Sequence, residues 1–232
     1  MATRFVVALL ASIAVGAHAS PIVFTSTQYD TTAFAVIGAV ADANSDVSPP
    51  SALPLLSTAT VVGANDFATS AAFGSSGLLF TQAEADSFAG AVGASAGAQS
   101  HFVGSILGNG ALKLHFDFDD LDSIVGGGAS DGTLFILLTN TAGAITTTLF
   151  NGFLTQGGLF NLQFDVPAGG VSKLDLLLFS EATTTGAGQA AQNFAQVTVD
   201  GTIPLPATPF LVVAGLAALF TSRRRHEISE AA

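Results

Sequence analysis

LKLHFDFD, residues 112–119, alternates apolar and polar side chains along its whole length. The apolar residues are Leu112, Leu114, Phe116 and Phe118. The polar residues are Lys113, His115, Asp117 and Asp119. A period of two residues places the two sets on opposite faces of an extended strand. The stretch therefore predicts a β-strand with one face in a core and the other in water.

The same design recurs along the chain. Residues 159–166 (LFNLQFDV) repeat the alternation, and residues 173–179 (KLDLLLF) end in an apolar run that indicates a central strand. Residues 194–199 (FAQVTV) close the series. Other strand candidates are 21–27, 33–40, 58–62, 77–81, 133–139 and 144–150. About ten short strands without a long helical pattern predict an all-β fold, an antiparallel β-sandwich or jelly-roll over residues 20–201.

Two segments have other patterns. Residues 43–54 contain two adjacent prolines, which cannot donate to a ladder, and predict a loop. Residues 82–100 are rich in Ala, Gly and Ser, and Thr81 followed by Glu84 forms a capping pattern. A short helix is therefore the alternative to a strand there, although Gly90 and Gly93 would weaken it by about 1 kcal/mol each.

Composition excludes several functions. The chain has 232 residues, a net charge of −11 and no cysteine. Between Arg4 and Arg223 the only basic residues are Lys113 and Lys173, so no basic patch exists to bind nucleic acid. The absence of cysteine excludes disulfides, thiolate metal sites, cysteine nucleophiles and the lipid-modified cysteine of a lipoprotein.

The N-terminus reads as a secretory signal. Arg4 supplies a positive start, residues 5–15 are apolar, and Ala17 and Ala19 form the small-x-small pattern that signal peptidase accepts. We expect residues 1–19 to be an apolar signal helix, with cleavage between Ala19 and Ser20. The body would then begin outside the cytoplasm.

One motif suggests catalysis but lacks its partners. Residues 93–97 (GASAG) match the GxSxG nucleophile elbow, which needs a strand–turn–helix with Asp and then His following in the chain. After Ser95, no acidic residue precedes His101 or His115, and His226 lies in the tail. We therefore predict that the protein is not an enzyme.

Four carboxylates lie close together in the sequence, at Asp117, Asp119, Asp120 and Asp122. Alternation predicts that the first two share a face at a strand end and that the last two lie in the following turn. Oxygen ligands this dense could hold Ca²⁺. The alternative is a solvated acidic turn that blunts an edge strand. No other cofactor is indicated.

The C-terminus has three parts in a fixed order. A proline-rich segment, Ile203-Pro204-Leu205-Pro206-Ala207, precedes an apolar run at residues 210–220 and then Arg223, Arg224 and Arg225. The apolar run covers about 17 Å as a helix, and its flanks extend it towards the thickness of a bilayer. The arginines would stop translocation and stay cytoplasmic. Residues 202–232 therefore predict a short transmembrane helix with a basic end.

This tail closely resembles the PEP-CTERM sorting signal of Gram-negative bacteria, in the subclass whose motif is Val-Pro-Leu-Pro-Ala. Ile203 replaces the valine conservatively, and the tail runs a little longer past the arginines than is usual. The resemblance implies recognition by an exosortase-type membrane protease, cleavage near the motif, and release or attachment at the cell surface. It also implies association with extracellular polysaccharide and biofilm. The inner membrane would hold the chain only before processing.

Two other interpretations of the tail exist. Residues 205–208 match the LPxT of a sortase signal, but Pro209 stands where that motif has Gly and lacks its N–H. A permanent single-pass anchor is the second. We therefore predict an exported, non-enzymatic surface or matrix protein. The alternative is a carbohydrate-binding β-sandwich, Ca²⁺-dependent if the aspartates bind metal.

Overall fold

The computed structural model describes residues 20–22, 24–48, 53–88, 92–107, 110–166 and 170–203. The signal segment 1–19 and the tail from Pro204 onward lie outside the described residues, so both terminal helices stay predictions. Within the described ranges, no helix is long and apolar enough to cross a bilayer.

Thirteen strands make up the described part of the chain. They are β1 Ser20–Pro21, β2 Phe24–Ile37, β3 Val40–Ser48, β4 Leu55–Val62, β5 Asp66–Ser75, β6 Leu78–Ser87, β7 Ala94–Leu107, β8 Gly110–Val125, β9 Ala129–Ala142, β10 Ile145–Leu154, β11 Gly158–Val166, β12 Val171–Thr183 and β13 Gln189–Ile203. The all-β prediction is confirmed.

The strands form two antiparallel sheets that face each other. The first sheet has the order β11-β8-β13-β6-β5-β4, with β1 beside β13, and the second has the order β10-β9-β12-β7-β2-β3. Leu112, Leu114, Phe116 and Phe118 of β8 are buried between the sheets, as their alternation predicts. The predicted central strand at 173–179 is also confirmed, because β12 pairs with both β7 and β9.

Two predictions about local structure are wrong, and the open alternative at residues 82–87 is decided in favour of a strand. Residues 82–87 belong to strand β6 and not to a helix, and residues 43–48 belong to β3 and not to a loop. The acidic turn is absent as well, since β8 continues through Asp117, Asp120 and Asp122 to Val125. In each case the segment forms hydrogen bonds with a neighbouring strand, and this pairing overrides the local preference of its residues for a helix, loop or turn.

The size of the side chains in the core differs from one part of the sandwich to another. One part is filled by large side chains, among them Phe116, Phe118, Leu134, Leu174 and Leu176. Another is a cluster made almost entirely of alanine, with Ile37 and Val61 as its only larger members. Small side chains let the two sheets approach more closely there than a core of leucine and phenylalanine would allow.

Hydroxyl groups join the two sheets directly. Ser70 Oγ donates to the Phe34 carbonyl at 2.8 Å, and Ser100 Oγ donates to the Phe73 carbonyl at 2.7 Å. Thr81 Oγ1 and Ser180 Oγ, both fully buried, lie 2.7 Å apart. A serine side chain reaches the opposite backbone only when the sheets are close, so these bonds and the alanine cluster depend on the same short separation.

The Thr81–Ser180 pair yields a stability prediction. Thr81→Val leaves the buried Ser180 hydroxyl without its partner, and such a group costs about 1–3 kcal/mol. The double variant Thr81→Val with Ser180→Ala removes both polar groups, and we expect it to be more stable than Thr81→Val alone. Urea unfolding of the three proteins measures the difference. A double variant less stable than the single one would show that this bond does not hold the sheets together.

Candidate functional site

A polar cleft lies on the outer face of the first sheet, where β11, β8 and β13 run side by side. Strand register places two rows of exposed side chains across these strands. The first row is Asn161, His115 and Asp200. The second row is Leu159, Asp117 and Thr198. These six residues face outward because their neighbours in each strand point to the opposite side of the sheet.

The cleft has a volume of about 320 Å³. That is near the lower end of the usual range for small-molecule sites. Its floor and walls include all six side chains of the two rows. Leu159 is 77% exposed and supplies an apolar surface at one side.

His115 and Asn161 are joined by a hydrogen bond between Nδ1 and Oδ1. The second ring nitrogen, Nε2, has no protein partner among the described hydrogen bonds and is available to a ligand. The Asn161 amide nitrogen is a donor, while Asp117 and Asp200 contribute carboxylate acceptors. The cleft therefore combines donors and acceptors suited to hydroxyl groups, and its two carboxylates disfavour an anionic ligand.

The four aspartates predicted to form one calcium site are divided between the two faces of β8. Asp117 and Asp119 point outward, and Asp119 accepts a 2.8 Å hydrogen bond from Gln196. Asp120 and Asp122 point inward, where Asn193 Nδ2 donates to them at 2.7 and 3.0 Å. Because β8 does not turn after Asp119, the pleat separates the pairs. The four carboxylates do not converge on one ion.

Of the inward pair, Asp120 is half-buried beside Asn193 and Gly132, whereas Asp122 is exposed. Burial raises the pKa of Asp120; the Asn193 hydrogen bond opposes this, and the charges of Asp122 and Asp131 add to it. A Cβ built on Gly132 would lie against the Asp120 carboxylate, so a larger residue there would require that side chain to shift. In the described ranges, no three acidic or histidine side chains are grouped to hold a metal. Calcium binding by these aspartates stays a prediction.

Ser95 does not lie on a nucleophile elbow. It belongs to strand β7, where it pairs with Val36 on one side and Thr183 on the other. His101 is on the same strand, about 20 Å away at the rise of an extended chain. His115 is on the outer face of the opposite sheet. The histidines after Ser95 that the structure describes are therefore out of reach of its hydroxyl.

Sequence reasoning missed an array of ionisable side chains around His101, on the outer face of the second sheet. His101 Nδ1 lies 3.1 Å from Asp30 Oδ2, and Nε2 lies 2.8 Å from Asp175 Oδ1. The three side chains come from β2, β7 and β12. Their polar positions are visible in the sequence, but the order of these strands in the sheet is not.

This array makes stability depend on pH. The hydrogen bond to Asp175 raises the pKa of His101 above its usual 6.5, burial opposes this, and Asp30 adds to the rise. A raised folded pKa contributes stability that is complete below the unfolded pKa and is lost as pH rises through the folded pKa. We expect His101→Asn to destabilise the protein more at pH 5.5 than at pH 9. Equal losses by urea unfolding at both pH values would contradict this.

No family model and no curated protein matches this chain. Among solved structures, this chain is similar to the C-terminal family 22 carbohydrate-binding module of Clostridium thermocellum Xyn10B. The two are 15% identical, with a TM-score of 0.23, and the alignment covers 53% of this chain and 73% of that chain. The CBM22-1–GH10 modules of xylanase 10B from the same organism are 14% identical, with a TM-score of 0.23, over 61% of this chain and 26% of that chain.

A third similar structure is that of infectious bursal disease virus, Gx strain, at 12% identity and a TM-score of 0.21, over 82% of this chain and 67% of that chain. Likeness at these scores carries no functional inference. The fold and the cleft define the chain as a two-sheet β-sandwich with polar side chains grouped on one outer face.

Proposed function

We propose that this protein is exported, sorted to the cell surface through its C-terminal tail, and acts there as a non-catalytic β-sandwich associated with extracellular polysaccharide. The observation that carries this proposal is the order of the tail: proline motif, apolar run and three arginines. The last strand, β13, ends at Ile203, the first motif residue. Cleavage after the motif would therefore leave every described strand in the released body.

The non-catalytic part of the proposal is supported by Ser95. Its GxSxG motif is the one catalytic pattern in the sequence, and residues 94–97 of that motif, including Ser95, lie within the paired strand β7. A serine in that position lacks the sharp turn that exposes a nucleophile and the histidine that would take its proton. Ser95→Ala is accordingly expected to leave any measured hydrolase activity of the purified protein unchanged.

The motif prolines test the sorting proposal. Replacing Pro204 and Pro206 together by alanine should prevent processing, so that the chain accumulates uncleaved in the membrane fraction of its native host. Pro209→Ala, outside the motif, is the matched control and should be processed. Immunoblots of membrane and extracellular fractions measure the outcome. Normal release of the double variant would contradict the proposal.

A second function is favoured by the cleft of β8, β11 and β13. Its amide, imidazole and carboxylates can exchange hydrogen bonds with hydroxyl groups, and Leu159 can cover the apolar face of a sugar ring. The two carboxylates repel acidic sugars. We therefore propose that the body binds a neutral polysaccharide rather than one rich in uronate.

Calorimetric titration tests the cleft directly. Neutral glucose hexamers are expected to bind, and galacturonate hexamers are not. Asn161→Ala should weaken binding by up to about tenfold, since a lost hydrogen bond is worth about 0.5–1.5 kcal/mol. Thr58→Ala, exposed on β4 at the far side of the same sheet, is the control and should bind as the unaltered protein does. Equal binding of both hexamers would contradict the charge argument.

A further inference from the structure

The two lateral sides of the sandwich are built differently. At one side, β3 and β4 are the edge strands of their sheets, and Asp42 Oδ2 of β3 accepts a 2.9 Å hydrogen bond from the Thr60 backbone N–H of β4. The Asp42 carboxylate takes up the backbone N–H of Thr60 and places a negative charge beside the edge of β4. Inward-reaching charges of this kind prevent other strands from adding to an edge.

The opposite side has no such protection. There β10 and β11 are the edge strands, and Phe150 of β10 packs against Phe164 of β11 with ring centroids 5.9 Å apart. No charged residue occurs anywhere from Gly132 to Phe164, in a chain whose net charge is −11. Among the described residues, no strand pairs with the outer edge of β10. Alternate backbone N–H and C=O groups along that edge therefore have no ladder partner.

The exposed part of β10 is self-complementary. Its first five residues, Ile145-Thr146-Thr147-Thr148-Leu149, read almost the same in both directions about Thr147. In an antiparallel pair of two such strands, Thr147 would face its own copy, Thr146 would face Thr148, and Ile145 would face Leu149. Thr–Thr and apolar cross-strand pairs of this kind are favourable. The register with β9 shifts between Thr148 and Phe150, so Leu149, the last residue of the proposed ladder, lies at this irregularity.

We propose that β10 is a self-association edge, at which a second copy of this chain adds its own β10 antiparallel about a two-fold axis at Thr147. Charge favours a copy meeting at this side, because two acidic bodies repel each other least where neither carries charge. A two-fold arrangement also uses the same patch on both partners and so closes as a dimer. Neither the sorting tail nor the polar cleft is needed for this contact.

Site-specific crosslinking tests the proposal, and the chain is suited to it because it contains no cysteine. Opposed Cα atoms in an antiparallel pair are about 4.5–5.5 Å apart. This lies within the about 4.4–6.8 Å that a disulfide spans. Thr147→Cys in the full-length chain, purified in detergent and mildly oxidised, should therefore migrate mainly as a disulfide-linked dimer. Thr58→Cys, also exposed but on the protected edge β4, should show no disulfide-linked dimer under the same oxidation.

A second variant separates specific contact from chance collision. Adding Ile145→Lys to Thr147→Cys places a charge in the proposed ladder and should reduce the dimer at least tenfold, with far-UV circular dichroism unchanged. Sedimentation velocity of the unaltered full-length chain should show a dimer that Thr148→Lys converts to monomer. Equal crosslinking of Thr147→Cys and Thr58→Cys would overturn the proposal. Sedimentation of the unaltered chain as a monomer would overturn it as well. Crosslinking of Thr147→Cys in cells to a different protein would overturn it too.

Discussion

Phe118→Ala is expected to lower the free energy of unfolding by about 3–5 kcal/mol, the usual cost of removing a buried aromatic ring. Phe118 is fully buried on the inner face of β8 and is among the largest side chains that the two sheets enclose. The loss combines the transfer of the ring from water with the cavity left behind, since two paired sheets cannot collapse freely into the space. Chemical denaturation of the purified protein measures it.

Phe153→Ala is the matched control for that substitution. Phe153 lies on edge strand β10 and is 67% exposed, with its ring 4.9 Å from that of Phe135. Its removal should cost no more than about 1 kcal/mol, because little apolar area leaves a buried environment. Similar losses at the two positions would show that Phe118 is not part of a close-packed core.

Ala85→Leu is expected to destabilise the protein by about 1–3 kcal/mol or more, although leucine is the more hydrophobic residue. Ala85 has no exposed surface and belongs to the alanine cluster between the sheets. A larger side chain there must separate the sheets, which would also lengthen the hydroxyl bonds that cross between them. Thermal unfolding monitored by circular dichroism measures the effect.

Ala43→Leu provides the control, because Ala43 is exposed on edge strand β3 and has room for the longer side chain. We expect a change within about 0.5 kcal/mol, as for most surface substitutions. A stabilising effect of Ala85→Leu would mean that the alanine cluster contains unfilled space and that the sheets are not held close by small side chains.

The all-β architecture could be predicted because alternation is a local property of the chain. In residues 112–119 each large apolar side chain is two residues from the next, and β8 buries that set. Residues 82–87 were harder, since alanine fills the inward positions of β6 and alanine is also a good helix former. The signal was the alternation of Ala83 and Ala85 with Gln82, Glu84 and Asp86, and it was weaker because methyl groups carry little hydrophobicity.

The candidate site could be predicted only in part. The exposure of His115 and Asp117 follows from alternation on β8, but their neighbours Asn161 and Asp200 come from strands whose pairing depends on sheet order. The aspartate cluster shows the reverse case, in which residues close together in the sequence are separated in the structure. Four carboxylates close in sequence are divided by the pleat, because pairing of β8 with β13 extends the strand through Asp122. Sequence spacing alone does not determine where a strand ends.

The functional proposals also divide into those that depend on local sequence features and those that depend on strand order. The sorting interpretation depends on residues 203–225, where an ordered set of local features is sufficient. The ligand of the body depends on the three-strand cleft, which no local pattern encodes. The edge of β10 lies between these cases, since its lack of charge is visible in the sequence and its position at the side of a sheet is not.

The mass of the protein recovered from the surface and medium of its native host tests the central claim most directly. Intact-mass spectrometry is expected to show a body that begins at Ser20 and ends near Ala207, without the apolar run and the three arginines. Recovery of a chain that retains Arg223 to Arg225 as the final surface form would contradict sorting by cleavage and would identify the tail as a permanent anchor.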